Sequence, residues 1–296
     1  MSKIRVCVVG YGNVGQEAME CIRQSPDMEL AGLVRRNPVN PGVECPVVRS
    51  LEELGKLDVA VLTCPSRQIP SLAPLYLEAG VNTVDSFDIH GDSTMALRKD
   101  LDRCGKAHGS VSVIGAGWDP GTDSIFRVIF AAMAPRGITY TNFGPGMSMG
   151  HTVAVKAIPG VKDALSMTLP AGFGQHKRDV YVQLEDGADF DQVAAAIKSD
   201  PYFVNDETRV TKVDDVMEVE AKGHGVLLQR YGGAGTAENQ TLELKTRLAN
   251  PSATAQVMVS AARASTRMKP GAYTLVEIPP IDLLPGDRDA LVKHWV

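Results

Sequence analysis

The chain has 296 residues, 44% of them apolar and 22% charged, and a net charge of −5 spread without long like-charge runs. Such values describe an ordinary globular protein of one large or two moderate domains, and they argue against a nucleic-acid partner, which needs a basic face. No apolar run approaches the roughly 20 residues needed to span a bilayer. The passage from Met1–Lys3 straight into an apolar strand predicts no signal peptide and hence a cytoplasmic protein. Five scattered cysteines, with no CxxC pair, read as reduced thiols and not as a metal site.

Along the first 115 residues, the apolar runs "IRVCVV", "ELAGLV", "DVAVLT", "VNTVD" and "SVSVI" alternate with helix-like segments at Asn13–Gln24, Ser50–Lys56, Gln68–Ala79 and Ser93–Ala107. Strands alternating with helices imply βαβ units and a parallel sheet covered on both faces. After about residue 120 a helix, "TDSIFRVIFAAMA", leads to "GITYTNF". Stretches that read as antiparallel strands follow ("DALSMTLPA", "KRDVYVQLE", "GVLLQRY", "NQTLELKTRL"), with one helix at Phe190–Lys198. A last helix, "NPSATAQVMVSAARASTR", has its start signal at Asn250–Pro251. The fold class is therefore α/β, a Rossmann-type doubly wound parallel sheet, with a second α+β domain after it.

Residues Gly10–Gly15, "GYGNVG", fit GxGxxG between a strand and an amphipathic helix, the context that makes this short pattern specific. Gly10 permits the tight turn, Gly12 lets the backbone approach a pyrophosphate, and Gly15 lets helix and strand pack closely. With Tyr11, Asn13 and Val14 they form the candidate cofactor loop, whose helix amides offer donors to phosphates. At the end of the second strand, where an NAD-binding chain carries an acid for the ribose, this chain has Arg35 and Arg36. Guanidinium groups can bind a 2′-phosphate that a carboxylate would repel, so NADP(H) is the expected cofactor.

Ligands of a doubly wound sheet bind beyond the carboxyl ends of its strands. Three segments should end there: "LTCPSRQ", with Cys64, Pro65 and Ser66; "VDSFDIHGD", with Ser86 and Asp88; and "GAGWDPGTD", with Trp118 and Asp119. Cys64, Pro65, Ser66 and Ser86 are expected to line the cofactor. Asp88 and Asp119, carried to the rim beside Trp118, suit a cationic substrate group and its deprotonation. Asp85 and Asp92 read as turn and cap residues.

Together "VVGYGNVG", "VDSFDIHGD", "GWDPGTDS", "NFGPGMSMGH", "AVKAIPGV" and "HKRDVYV" resemble meso-diaminopimelate dehydrogenases. The likeness continues through "DPYFVNDETRV", "GHGV", "NPSATAQVM" and "KPGAYTLVEIPP". The resemblance implies reversible NADP-dependent oxidative deamination of the D-configured carbon of meso-2,6-diaminopimelate, in lysine biosynthesis. It places Asp88, Trp118 and Asp119 around the reacting end, with Phe143, Met149 and Gly150 shaping the pocket. Thr168, Arg178, His224 and Asn250 would grip the distal end. Gly150–His151 reads by itself as a closely packed turn, and His224 by itself as either structural or ligand-binding. The resemblance further implies a homodimer, with residues 1–117 plus 251–296 forming the nucleotide domain and 118–250 the substrate and dimerisation domain. Two other readings stay open on the residues: a broader D-amino-acid dehydrogenase on the same scaffold, and an NADP-binding sensor without catalysis.

Overall fold

The computed structural model describes residues 3–89, 91–219 and 224–296. In chain order the elements begin β1 (Ile4–Val9), α1 (Asn13–Gln24), β2 (Met28–Val34), β3 (Val47–Val48), β4 (Val59–Leu62), α2 (Ile69–Glu78), β5 (Asn82–Asp85), α3 (Asp92–His108), β6 (Val111–Ile114) and α4 (Thr122–Met133). They continue with β7 (Arg136–Phe143), β8 (Gly146–Met147), α5 (Met149–Lys156), β9 (Val161–Gly172), β10 (Gln175–Leu184), α6 (Phe190–Ser199) and β11 (Glu207–Lys212). The chain closes with β12 (His224–Ala234), β13 (Ala237–Leu248), α7 (Asn250–Ser265), β14 (Gly271–Thr274) and α8 (Arg288–Trp295).

The chain divides into two compact units, Met1–Val128 with Pro251–Val296, and Ile129–Asn250. In the first, seven strands pair in the order β14-β6-β5-β4-β1-β2-β3, every pair parallel. Alternate side chains of a strand face opposite sides, so β1 divides its apolar residues between two cores. Val6 and Val8 pack with Ala18, Met19 and Ile22 of α1 and with Ala255, Met258 and Val259 of α7. Cys7 and Val9 pack with Ile69, Ala73 and Leu77 of α2 and Leu97 and Leu101 of α3. Covering both faces explains why these strands read as continuous apolar runs. All carboxyl ends of a parallel sheet lie along one edge, and β1 and β4, adjacent at its centre, carry the chain away in opposite directions.

The second unit holds a four-stranded sheet, β11-β10-β9-β8, and a three-stranded one, β13-β12-β7. Val155 of α5 and Val193 and Ile197 of α6 cover Ala164, Val180 and Val182 of the larger sheet. Four details differ from the sequence reading or add to it. Strand β11 pairs parallel to β10, because α6 lies between them and returns the chain in the same direction. Ser50–Lys56 shrinks to one 3-10 turn, Leu51–Leu54, closed by a Ser50–Glu53 capping box. Gly150 and His151 stand in the first turn of α5 and not in a loop. Short β14, unforeseen, adds the seventh strand to the parallel sheet. No helix among the described residues is long and apolar enough to cross a membrane.

Candidate active site

The glycine loop follows β1 as its spacing requires. Gly10 has a φ of 103°, which an L side chain rarely adopts. A Cβ on Gly15 would lie 2.4 Å from the Gly10 carbonyl oxygen, so this glycine sets the distance between α1 and β1. A Cβ on Gly12 would meet nothing within 4 Å, which leaves the backbone there open to a ligand. Thr63, at the end of β4, locks the loop by donating to Val9 O at 3.0 Å and Gly10 O at 3.2 Å. Helix α1 starts without a side-chain cap, so its first amides suit an anion. At the end of β2 the Arg35 guanidinium lies 5.6 Å from the centre of the Tyr11 ring, and exposed Arg36 reaches Gln68 Oε1 at 3.5 Å. A phosphate cradle flanked by two guanidiniums fits a phosphorylated dinucleotide.

Three further strand ends meet this edge. After β4, Ser66 Oγ donates to Asp88 Oδ1 at 2.6 Å, joining two of the expected residues. Pro65 caps the 3-10 turn Ser66–Gln68. Burial pushes the Cys64 thiol up to about 11, which suits a packing residue and not a nucleophile. Ser86 faces Gly117: a Cβ built on that glycine would lie 3.8 Å from Ser86 Cβ. Asp85 is fully buried and accepts from Phe87 N at 2.9 Å and Gly115 N at 3.2 Å, tying the end of β5 to that of β6. It does turn work, as expected. Burial raises its carboxyl to about 6.

The GWDPG turn is closed by Gly117 N to Pro120 O at 3.0 Å and Asp123 N to Trp118 O at 2.9 Å, with a cis Asp119–Pro120 bond. Gly121 admits no side chain, since a Cβ would fall 1.6 Å from Gly117 O. The turn buries Trp118 to 6% exposure and turns Asp119 towards α4. There both terminal nitrogens of Arg127 donate to Asp119 Oδ1 at 2.8 Å. Sequence reasoning missed Arg127; the signal was the single charge inside the apolar run "SIFRVIF". Asp123, one turn before Arg127, is 2% exposed, and its Oδ2 is buried with no hydrogen-bond partner. Burial first, then Asp119, raises Asp123 to about 7, with Arg127 opposing.

In the second unit, Thr168 of β9 and Arg178 of β10 stand opposite each other in register. Arg178 donates through Nη1 to Thr168 Oγ1, and through Nε to Asp206 Oδ2 at 2.6 Å. Its side chain is only 11% exposed. Asp206, also missed, orients the guanidinium from the loop ahead of β11. His224 opens β12 and is buried; its Nδ1 accepts from Gly225 N at 3.1 Å, so the ring is neutral. Burial, then Arg178, holds His224 down to about 4. Phe143 ends β7 with its ring centre 6.2 Å from that of His224 and 5.4 Å from that of His176. Met149 and Gly150 open α5, where the nearest atom to a Cβ on Gly150 is in the Tyr202 ring. Asn250 opens α7. Gly223 of "GHGV" lies outside the described residues.

Residues 117–174 match the family model described as the diaminopimelic acid dehydrogenase C-terminal domain. A meso-diaminopimelate D-dehydrogenase of Bacteroides fragilis is 55% identical over the whole of both chains. The solved structure of Corynebacterium glutamicum DAP dehydrogenase in complex with DAP superposes with a TM-score of 0.91 at 33% identity, covering all of both chains. An engineered D-amino acid dehydrogenase bound to NADP+ gives 0.85 at 31%, again over both whole chains. The chain belongs to the meso-diaminopimelate D-dehydrogenase family and is an NADP-dependent oxidoreductase.

Proposed function

We propose that the residues above perform, in this chain, the reaction of its family: reversible oxidative deamination at the D-configured carbon of meso-2,6-diaminopimelate. Water and NADP+ are consumed, and L-2-amino-6-oxopimelate, ammonia, NADPH and a proton are formed. When bound, NADP+ supplies the hydride acceptor. Gly10–Gly15, through Tyr11, Gly12, Asn13 and Val14, would hold the phosphates, Arg35 and Arg36 the 2′-phosphate, and Cys64, Pro65, Ser66 and Ser86 the remainder of the cofactor. Asp88 and Asp119 attract the substrate ammonium and accept its proton. Arg127 holds Asp119 in place through two contacts on Oδ1, leaving Oδ2 for the cation. Trp118 supplies an apolar wall that keeps water from the reacting carbon.

The distal carboxylate falls to Arg178 and Thr168, with neutral His224 and Asn250 answering its remaining polar atoms, and Phe143, Met149 and Gly150 shaping the substrate pocket. The observation that carries this assignment is the partly buried guanidinium of Arg178, oriented in advance by Asp206 and Thr168. Such a group costs little reorganisation when a carboxylate arrives. Initial rates of NADP+ reduction on the meso, LL and DD isomers test the reading. The meso isomer should be used best and the LL isomer not at all. Arg178→Ala should lower kcat/KM for the meso isomer roughly 10²–10³-fold, the scale of a lost charge-assisted contact, without changing NADPH affinity. Equal loss of NADPH affinity would move Arg178 out of the substrate site.

The cytoplasm is the expected compartment, and a homodimer the expected assembly. Supporting the dimer, Phe126, Ile129 and Met133 form one stripe along α4 at i, i+3 and i+7 and are 36%, 42% and 53% exposed. An exposed apolar stripe of this kind suits a second copy of the chain.

A further inference from the structure

Among the described residues, strand β7 ends its sheet and pairs on one edge only, with β12, where Gly144 N donates to Gly225 O at 2.6 Å. Backbone groups of successive residues point to opposite edges, so the N–H of Phe143 points away from β12. It donates to His176 Nε2 at 2.9 Å, on β10 of the other sheet in the same unit. The same imidazole hydrogen-bonds the backbone of Thr141. The C=O of Thr141 and the N–H of Phe143 are the two groups that a neighbouring strand's peptide would take. Here a side chain takes both.

An amide N–H only donates, so Nε2 presents its lone pair and the proton sits on Nδ1, facing the Thr141 carbonyl. We infer that His176, as the neutral Nδ1–H tautomer, is a positioning residue: it stands in for the missing strand at the edge of β7, sets the Phe143 ring, and through it the discrimination among D-amino acids. The inference rests on the reading that Phe143 walls the substrate pocket. A second tie supports the same strand end, since Asn142 Oδ1 accepts from Gly174 N at 2.9 Å and its Nδ2 reaches Gln229 Oε1 at 3.0 Å. The Phe143 backbone is thus held between two side-chain bridges, and its ring leans on His176 at 5.4 Å.

The surroundings keep His176 neutral. Burial first, then Arg178 two residues along the same strand, holds the imidazole below its ordinary value, against Asp206 and the bond to Thr141. His224 faces it from β12 and is itself neutral. On β9 the register partner is Pro170, which does not titrate. Protonation would set an N–H on Nε2 against the N–H of Phe143, and two donors cannot share that contact. Release of Phe143 should therefore accompany acidification.

The experiment compares wild type, His176→Ala, His176→Gln and Phe143→Ala as full chains. It measures kcat and KM for meso-diaminopimelate and for D-norleucine, which keeps the reacting centre without the distal zwitterion, from pH 5 to 9. NADPH titration and thermal melts accompany each variant. His176→Ala should raise KM and cut kcat/KM for the meso substrate roughly 10- to 100-fold, the range for a displaced pocket wall, and narrow its lead over D-norleucine. NADPH affinity should not change. His176→Gln, whose amide has a donor and an acceptor as a peptide does, should recover most of the loss and abolish the limb below pH 6.5 that His176 gives the wild type. Wild-type selectivity in His176→Ala overturns the inference. So does a folded Gln variant that is as poor as Ala, or one that retains the acid limb. If Phe143→Ala itself leaves the meso preference intact, the wall assignment falls and the inference with it. If it removes the preference while His176→Ala does not, only the role of His176 falls.

Discussion

Asp119, in the turn before α4, and Asp123, in its first turn, lie beside a single guanidinium, and their surroundings separate their tasks. Arg127 donates twice to Asp119 Oδ1. Asp123 has a buried oxygen without a hydrogen bond and is raised to about 7. Asp119→Asn keeps the shape and removes the charge, so turnover should fall roughly 10²–10⁴-fold, the range for a lost acid–base group. NADPH titration should be unchanged, because the phosphates are assigned to the loop and the arginine pair. For Asp123 the sign is the reverse of the usual carboxylate. Its folded value stands above the ordinary 3.8, so the folded chain holds a proton that the unfolded chain has released. That contribution to stability is full at the acid end of the window and is lost as pH rises through about 7. Asp123→Asn stays neutral throughout. It should gain about 1–3 kcal/mol over wild type in urea melts at pH 8, and less than half of that at pH 5.

At the scale of elements, the nucleotide site is a strand end, a glycine turn and a helix start, held together by Thr63 from the neighbouring strand. The amides of α1 serve any pyrophosphate, so cofactor choice falls to the end of β2. Replacing Arg35 and Arg36 together by serine should weaken NADP+ roughly 10- to 100-fold by calorimetric titration and leave NAD+ little changed. A double variant that keeps its NADP+ preference would remove the pair from the 2′-phosphate site. Helix α7 is fastened to the same unit by a partly buried ion pair. Arg263, 2% exposed, donates to both oxygens of Asp27 at 2.5 and 2.8 Å and to Leu283 O at 3.0 Å. Residues 251–296 thus complete a unit that the first 128 residues begin.

At the scale of the whole molecule, helix α4 has an unusual balance. Its twelve residues are mostly apolar, yet the side chain it buries is Asp123, while Phe126, Ile129 and Met133 face outwards. If a second copy covers that stripe, Ile129→Asp with Met133→Asp should convert a dimer into a monomer at micromolar concentration. Light scattering after size-exclusion chromatography reads this directly. A wild-type protein already monomeric at that concentration would refute the assignment.

Period and punctuation were enough to read the parallel sheet, the glycine loop and the arginine pair, because each is a local pattern: alternation, φ-tolerant glycines, and a charge at a strand end. The motifs likewise carried Asp88, Trp118, Asp119, Thr168 and Arg178 to strands and turns where the structure also has them. What the sequence could not determine is how side chains far apart in the chain answer each other. Asp206 reaches Arg178 across 28 residues, and His176 reaches Phe143 across 33. Even Arg127, only eight residues from Asp119, depends on the turn at Pro120 and the start of α4 for its approach. The parallel pairing of β10 and β11 was equally out of reach, since strand direction follows from the crossover between them and not from the pattern within either. Local propensity sets the elements; burial and the need of each buried polar group for a partner, decided only when the chain has closed on itself, set the charges of the site.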